Sequence, residues 1–419
     1  MNAARPEVIS LGCRLNIAES DAIGAMLAGR DTIVVNSCAV TGEAVKQTRA
    51  AIRRAARARP GAELVVTGCA ATIDAGAFAA MPEVSRVVPN AAKLLPTSWG
   101  AGGTTPPRRV SPAFGTHARA FVPVQNGCDH ACTFCIIPRG RGASRSAPVG
   151  DVVRRVAALV EAGHREVVLT GVDLTSYGPD LAPFDPVGAP TLGWLCERIL
   201  ADVPALPRLR LSSLDSVEID PVLLDLLGGE PRMMPHVHLS LQAGNDLTLK
   251  RMRRRHGRHD AIELVARLKA RRPEMAIGAD LIAGFPTETE AMFADTQALL
   301  DECDIVHAHV FPYSPREGTP AARMPQVAPE VRRARAVRLR EAARERKTRW
   351  LRWLVGTEQE VLVEKPGDRG HAGNFAEVRL DDRRNSGGDT PPRGVSPVGS
   401  IRRVMVSGVD GDVLTGEVV

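Results

Sequence analysis

Short apolar runs alternate with amphipathic stretches along most of this chain. EVISLGC, TIVVNSC and ELVVTGC are each apolar and each end in a cysteine. A helix-like segment follows every one: AESDAIGAMLAGR, GEAVKQTRAAIRRAARAR and IDAGAFAAM. Strand–helix repetition at this spacing predicts successive βαβ units on a parallel sheet. Cys13, Cys38 and Cys69 then fall at the carboxyl ends of three strands that point the same way, so their thiols converge on one crevice. Open α/β sheets bind ligands at that edge. Cysteines serving only as small core hydrophobes would not favour the same end of every strand.

Residues 98–119, rich in Gly, Pro, Thr and Ser, show neither period and mark a boundary. The expected organisation is a first domain over 1–100, a linker over 101–118, a central domain over 119–347 and a small last domain over 348–419. In the central domain REVVLTGVD, RLRLSSLDS, HVHLSLQAG, AIGADLIAGFP and IVHAHVFPY read as strands. DVVRRVAALVEAG, DAIELVARLKARR and AMFADTQALLDEC read as the helices between them. Repeated βα units predict a complete or partial barrel of parallel strands. Its strand ends carry Thr170, Asp173, Ser212, Asp215, Ser240, Gln242 and Asp280, polar residues that suit a site or a turn equally. A long helix is expected over 331–353, with ten Arg or Lys and two Glu. EQEVLVEK, FAEVRL, SIRRVMVSGV and DVLTGEVV then alternate apolar with polar, predicting a small antiparallel barrel with an enlarged loop at 382–397.

Composition narrows the class. At 44% hydrophobic and 24% charged the chain is globular, and a net charge of +6 hints at an anionic partner. No basic leader precedes an apolar run, and no apolar stretch nears the ~18 residues that cross a bilayer, so a cytoplasmic location without a membrane partner is expected. In a reducing compartment eight cysteines point to metal or catalysis before disulfides. Cys196 and Cys303 lack partners in sequence and read as core or surface thiols. Glu288 and Glu290 read as acids opening a helix.

Cys128, Cys132 and Cys135 stand apart, in QNGCDHACTFCIIPRGRG after the first barrel strand. Zinc would complete a Cys₃His set with His130 or His117. An iron–sulfur cluster would take three thiolates and leave one iron open. Spacing alone leaves both; a βα barrel behind the motif favours the cluster.

CDHACTFC resembles the CxxxCxxC signature of the radical S-adenosylmethionine enzymes. With LGCRLN, VVNSCAVT, VTGC and a last domain similar to a TRAM barrel, nearly the whole chain resembles the methylthiotransferases. TGVDLTSYG, HLSLQAG, GADLIAGFPTET and FPYSPREGTPAARMP are most similar to the bacterial enzymes acting on N6-threonylcarbamoyladenosine in tRNA. The resemblance implies an α/β fold with a partial barrel and two 4Fe–4S clusters. Cys128, Cys132 and Cys135 would hold the radical cluster, whose open iron is chelated by S-adenosylmethionine. Cys13, Cys38 and Cys69 would hold the auxiliary cluster. The implied reaction inserts sulfur and then methyl at carbon 2 of the adenine beside the anticodon, with a deoxyadenosyl radical removing the hydrogen and two S-adenosylmethionine molecules used per turnover. By the same resemblance Thr170, Gly171 and Asp173 lie beside the amino group of S-adenosylmethionine, and Gly278, Asp280 and Gly284 along its adenine. Ser240 and Gln242, two apart on a strand, face the barrel interior. Expected partners are a tRNA anticodon stem-loop carrying threonylcarbamoyladenosine, an electron donor of flavodoxin or ferredoxin type, and a sulfur source. The segments 250–258 (KRMRRRHGR) and 331–353 are candidate phosphate contacts, and Trp350 and Trp353 either pack between domains or stack on a base. Two other targets share the cysteine pattern, isopentenyladenosine in tRNA and an aspartate of a ribosomal protein. A noncatalytic, metal-stabilised RNA-binding protein is the alternative of another class.

Overall fold

The computed structural model of the protein describes residues 6–27, 29–100, 118–183, 188–381 and 397–419. Of the expected linker only Ala118, and of the enlarged loop only Pro397, fall among them; His117 falls outside.

The first sheet is parallel, in the order β1 (Glu7–Ser10), β2 (Thr32–Ser37), β3 (Glu63–Gly68) and β4 (Arg86–Val87). Every residue of β2 is buried because both faces are covered. Ile33 and Val35 pack with Ile52 and Ala55 of α2 (Gly42–Ala58), while Val34 packs with Ile23 of α1 (Arg14–Met26). That two-sided burial is why these strands read as unbroken apolar runs. Two short helices, α3 (Cys69–Ile73) and α4 (Ala75–Ala79), replace the single helix expected after β3.

The central unit begins with β5 (Ala120–Pro123), the hairpin β6 (Gln125–Asn126) and β7 (Arg145–Ser146), and between them α5 (Ile137–Arg141). It continues through α6 (Val149–Glu161), β8 (Glu166–Thr170), α7 (Leu192–Asp202), β9 (Arg208–Leu211), β10 (Ser213–Leu214), α8 (Pro221–Gly229) and β11 (His236–Gln242). Helices α9 (Asp246–Met252) and α10 (Arg258–Arg271), β12 (Ala276–Ala283), α11 (Glu290–Glu302), β13 (Ile305–Pro312) and α12 (Pro329–Trp353) complete it. The strands pair in parallel as β5-β8-β9 and β10-β11-β12-β13, a barrel left open on one side. Leu169, Leu209, Leu239 and Leu281 point outward into one apolar core with the helices. The alternating inward positions carry Glu166, Arg210, His238 and Asp280 instead. Barrels of this kind usually fill their interior with branched apolar side chains; a polar interior marks this one as a site.

Helix α12 uses its basic residues structurally. Arg335 pairs with buried Glu288 at 2.9 Å, Arg338 with Glu290, Arg346 with Asp304 and Arg349 with Asp301, while Arg332 and Arg340 donate to the Tyr313 and Val310 carbonyls. Glu290 opens α11 as expected, but Glu288 precedes it as an ion-pair partner.

The last unit is a closed five-stranded barrel of β14 (Glu358–Glu364), β15 (Arg369–Ala372), β16 (Glu377–Asp381), β17 (Ile401–Asp410) and β18 (Val413–Val418), in the order β14-β15-β16-β18-β17. It is antiparallel, as expected, except where β16 and β18 run parallel. Directions cannot alternate around a closed ring with an odd number of strands, so one parallel pair is required. The turn between β15 and β16 inserts Phe375, at φ 69°, into the amino-end mouth of the central barrel. Its ring lies 5.1 Å from that of His236 and 5.9 Å from that of His307, and the Asn374 carbonyl is 3.3 Å from His307 Nε2. Trp350 packs edge-on to His307 at 5.0 Å, whereas Trp353 is 60% exposed. The last unit thus closes the floor of the central barrel.

Candidate active site between two cysteine trios

The first trio stands where the strand ends place it. Cys13 caps α1, Cys38 follows β2, and Cys69 opens α3. Gly12 has φ 100°, and a Cβ there would lie 2.8 Å from Cys38 Sγ, so a side chain at that position would occupy the crevice. Cys38 and Cys69 are buried and Cys13 is exposed. Burial pushes the Cys38 and Cys69 thiols up, Cys13 adds to this for both, and Cys69 adds to it for Cys38.

The second trio sits in the loop between β6 and α5. Gly127, at φ 79°, begins the loop where a Cβ would strike the Ala143 carbonyl. Three N–H groups point at three sulfurs: His130 N at 3.4 Å from Cys128 Sγ, Ile137 N at 3.4 Å from Cys135 Sγ, and Arg254 Nη1 at 3.6 Å from Cys132 Sγ. Donors of this kind stabilise thiolate ligands and tune a cluster's potential. Burial pushes Cys128 up to about 12 and Cys135 to about 11. Thiols so desolvated become thiolates only against a cation, and a coordinated metal supplies one. Three soft donors with their own N–H partners fit an iron–sulfur cluster.

The trios are joined by packing. Helix α5 directly follows Cys135 and lies on α3, and a Cβ at Gly140 would be 3.0 Å from Cys69 Cβ. Arg141, at the end of α5, reaches into the first unit and bonds Glu19 Oε1 at 3.0 Å and Asn16 Oδ1 at 2.5 Å. Glu19 also holds Lys93 at 2.5 Å, and all three charged groups are buried. Lys93 and Arg141 place positive charge beside Cys69, opposing the effect of burial on its thiol. Nothing in the local sequence announced Glu19, Lys93 or Arg141, whose partners are 74 and 122 residues apart.

Above the barrel floor lie the expected polar residues. Thr170 is buried with no hydrogen-bond partner for Oγ1, and Ser212 Oγ is likewise unpartnered. Such orphans fit a polar ligand at this end of the barrel. Gly171 lies against Gln125, whose Oε1 accepts from Val172 N at 3.0 Å and Asp173 N at 2.9 Å. Asp173 Oδ2 is 3.6 Å from Cys128 Sγ and 3.3 Å from His130 Nε2; burial pushes its carboxyl up. The donor atoms of Cys128, His130 and Asp173 lie within 4.8 Å of one another, the grouping a zinc site would use. The His130 ring, however, is held between Asp173 and Glu218, and its hydrogen bond to Glu218 raises its pKa. The Nε2 that a metal would need is the atom already engaged by Asp173 and Glu218.

Arg254 also bonds Asp215 Oδ2 at 2.9 Å and the Ser240 carbonyl at 2.8 Å, and Arg255 pairs with Glu218, so these two arginines of KRMRRRHGR are held at this site. Gln242, at φ 70°, sits at an irregularity of β11. Gly278 makes room for His238, since a Cβ there would be 2.5 Å from Nδ1. Asp280 Oδ1 is shared by His238 Nε2 at 3.1 Å and His309 Nδ1 at 3.2 Å; against its burial, these two hold the carboxyl well below its usual range. Gly284, at φ 74°, lies against Arg332 of α12 and donates its N–H to Glu288. Cys196 and Cys303 are core residues, as expected.

The "Radical SAM superfamily" description matches residues 122–300, and "Uncharacterized protein family UPF0004" matches residues 5–89. The chain is 45% identical to threonylcarbamoyladenosine tRNA methylthiotransferase MtaB of Rickettsia prowazekii, over 91% of this chain and 92% of the relative. It is 34% identical to tRNA-2-methylthio-N(6)-dimethylallyladenosine synthase of Erythrobacter litoralis, over 86% of each. Among solved structures it is similar in fold to the radical S-adenosylmethionine methyltransferase TsrM of Kitasatospora setae, with a TM-score of 0.52 at 17% identity over 70% of this chain and 64% of that one.

Proposed function

The chain belongs to the radical S-adenosylmethionine methylthiotransferase family, and from that premise we propose that it attaches a methylthio group to carbon 2 of N6-threonylcarbamoyladenosine beside the anticodon of tRNA. The family uses S-adenosylmethionine and 4Fe–4S clusters. The observation that supports the reading is the packing of α5, which follows the second trio, on α3, which Cys69 of the first trio opens. The threonylcarbamoyl target rests on the 45% relative, against 34% for the dimethylallyl one.

In this reading Cys128, Cys132 and Cys135 hold the cluster that binds S-adenosylmethionine, and Cys13, Cys38 and Cys69 hold the second. The chemistry supplied by these groups when bound is one-electron cleavage of S-adenosylmethionine and delivery of sulfur to an unactivated C–H carbon. The protein's own part is charge, donors and exclusion of water. Asp173 and the orphaned Thr170 hydroxyl take the amino group of S-adenosylmethionine, and Ser240 and Gln242 border it from β11. Arg254 keeps its N–H on Cys132, while Lys93 and Arg141 balance the thiolates of the first trio. Phe375 seals the floor. Lys250 and Arg253, which make no ion pair among the described residues, contact tRNA phosphates. A flavodoxin- or ferredoxin-type donor and a separate sulfur source complete the turnover. Among the described residues no helix is long and apolar enough to cross a membrane, in keeping with work on tRNA in the cytoplasm.

Nucleoside mass spectrometry of total tRNA tests this. Cells lacking the gene should lose the methylthio form of threonylcarbamoyladenosine and accumulate the unmodified precursor. Loss of methylthio from the isopentenyladenosine derivative instead would overturn the target and keep the enzyme class. No change in any tRNA nucleoside would overturn the reading.

A further inference from the structure

One cation on the edge of the barrel interior makes no direct ion pair, although Glu166 and Asp280 act on it from a distance. Arg14 follows Cys13 directly and is half-buried, with its guanidinium carbon 5.6 Å over the Phe375 ring. Arg119 and Arg210 lie on the same ring at 5.1 and 4.9 Å, but Glu166 holds each of them at 2.7 Å. Among the described residues Arg14 makes no ion pair and no side-chain hydrogen bond. Withdrawing a guanidinium from water without a partner is costly, so an unpaired one beside a cavity is a receptor for an anion. Its place in the chain fixes which cavity. The residue before it belongs to the first cysteine trio, and besides Arg210 and Arg119 the charges it feels are Glu166, already shared by those two arginines, and Asp280 of the barrel interior.

Asp280 does not neutralise Arg14. Its Oδ1 is already shared by His238 and His309, whose rings are 4.6 Å apart. His309 is 58% exposed on β13, the edge strand at the open side of the barrel, and its Nε2 has no bond among the described residues. A cation from the first unit, next in the chain to Cys13, and a free imidazole nitrogen from the second therefore both border the barrel interior.

We propose that Arg14, with His309 as second donor, receives the carboxylate of the threonylcarbamoyl group and so selects an acidic N6 substituent over an apolar one. The inference rests on the target proposed above and adds the residues that recognise it. N6 and carbon 2 lie on one edge of adenine, either side of N1, so a base presenting carbon 2 to the trios extends its N6 substituent into the neighbouring interior. A guanidinium matches a carboxylate with two parallel N–H donors. An isopentenyl group would leave the half-buried Arg14 unpaired, and sites built to bond a polar group reject the analogue lacking it.

The test uses the reconstituted full chain and three anticodon stem-loops, carrying threonylcarbamoyladenosine, its threoninamide analogue and isopentenyladenosine. Affinity and kcat/KM are measured for each. Wild type should prefer the acid over the amide by about 10- to 100-fold, the worth of a hydrogen bond between charged groups. Arg14→Gln should bind the acid as weakly as wild type binds the amide, and leave amide binding unchanged. Arg14→Lys should keep part of the preference, and His309→Gln should lose a smaller share of it. An Arg14→Gln variant that keeps the preference, or weakens acid and amide equally at unchanged iron content, overturns the inference alone. A wild type that modifies the isopentenyl stem-loop and not the acid overturns the target and this inference together.

Discussion

Cys132→Ala brings 5′-deoxyadenosine formation from S-adenosylmethionine, and methylthio product with it, down to background. Cys128, Cys132 and Cys135 are three donors for a cluster that leaves one iron open, so no spare ligand exists among them. His130 cannot stand in, because Asp173 and Glu218 hold its ring. The loss extends beyond one bond. Arg254 Nη1 loses the sulfur it faces, leaving a mostly buried guanidinium with only Asp215 and the Ser240 carbonyl. The loop itself should persist, since Thr133 keeps its backbone bond to Met252 and its hydroxyl bond to Arg251. Chromatographic assay of 5′-deoxyadenosine after reduction measures the effect, with Cys196→Ala as the control. Cys196 is enclosed by the apolar core and far from both trios in role, so its variant loses some stability and keeps its product. Substantial product from Cys132→Ala would remove that cysteine from the site.

Glu166→Ala is expected to cost about 3–5 kcal/mol of stability, the range for a buried charge set stripped of one partner. Glu166 is fully buried at the start of β8, with Arg119 Nε and Arg210 Nε each at 2.7 Å and Arg208 Nη1 at 3.5 Å. One carboxylate thus anchors three guanidiniums beneath the site, and its removal leaves them facing one another. Burial alone would push its carboxyl up, but Arg210 and Arg119 bring it to about 2, against an ordinary 4.5. A folded value below the unfolded one stabilises the fold above the unfolded pKa and loses that contribution as pH falls toward the folded pKa. Its share, on the order of 3 kcal/mol, is present at neutral pH and fades between about pH 4.5 and 2. Urea unfolding of wild type and Glu166→Ala at pH 7 and pH 3 measures both quantities. The gap between the two proteins should be large at pH 7 and narrower at pH 3. A gap that is small at pH 7, or widens in acid, would contradict the role given to Glu166.

Much of this site was legible before any coordinates. The strand-end cysteines follow from three apolar runs that each stop at a thiol, and β1, β2 and β3 end at Ser10, Ser37 and Gly68, just ahead of them. The inward face of β11 was written in HVHLSLQ, where His236, His238 and Ser240 alternate with Val237, Leu239 and Leu241. What stayed hidden depends on distant partners. The basic stretches 250–258 and 331–353 read as phosphate ligands because Asp215, Glu288, Glu290 and Asp301, which hold several of their arginines, lie 39 to 48 residues away. Arg141 and Lys93 meet at Glu19 only because α5 packs on α3. Strand β4 is two residues long, and β15 reads RGHA, so neither carries a period to detect. Nothing in LGCRLN singles out Arg14, because its neighbour Phe375 lies in the last barrel.

The central claim is that two separate trios each hold a four-iron cluster at one site. Iron and acid-labile sulfide, counted per chain after anaerobic reconstitution, test it most directly in three proteins. These are wild type, the Cys13→Ala/Cys38→Ala/Cys69→Ala variant and the Cys128→Ala/Cys132→Ala/Cys135→Ala variant. The account predicts about eight irons in the first and about four in each of the others, four per cluster. Zinc in place of iron, or about four irons in wild type unchanged by loss of the first trio, would contradict it.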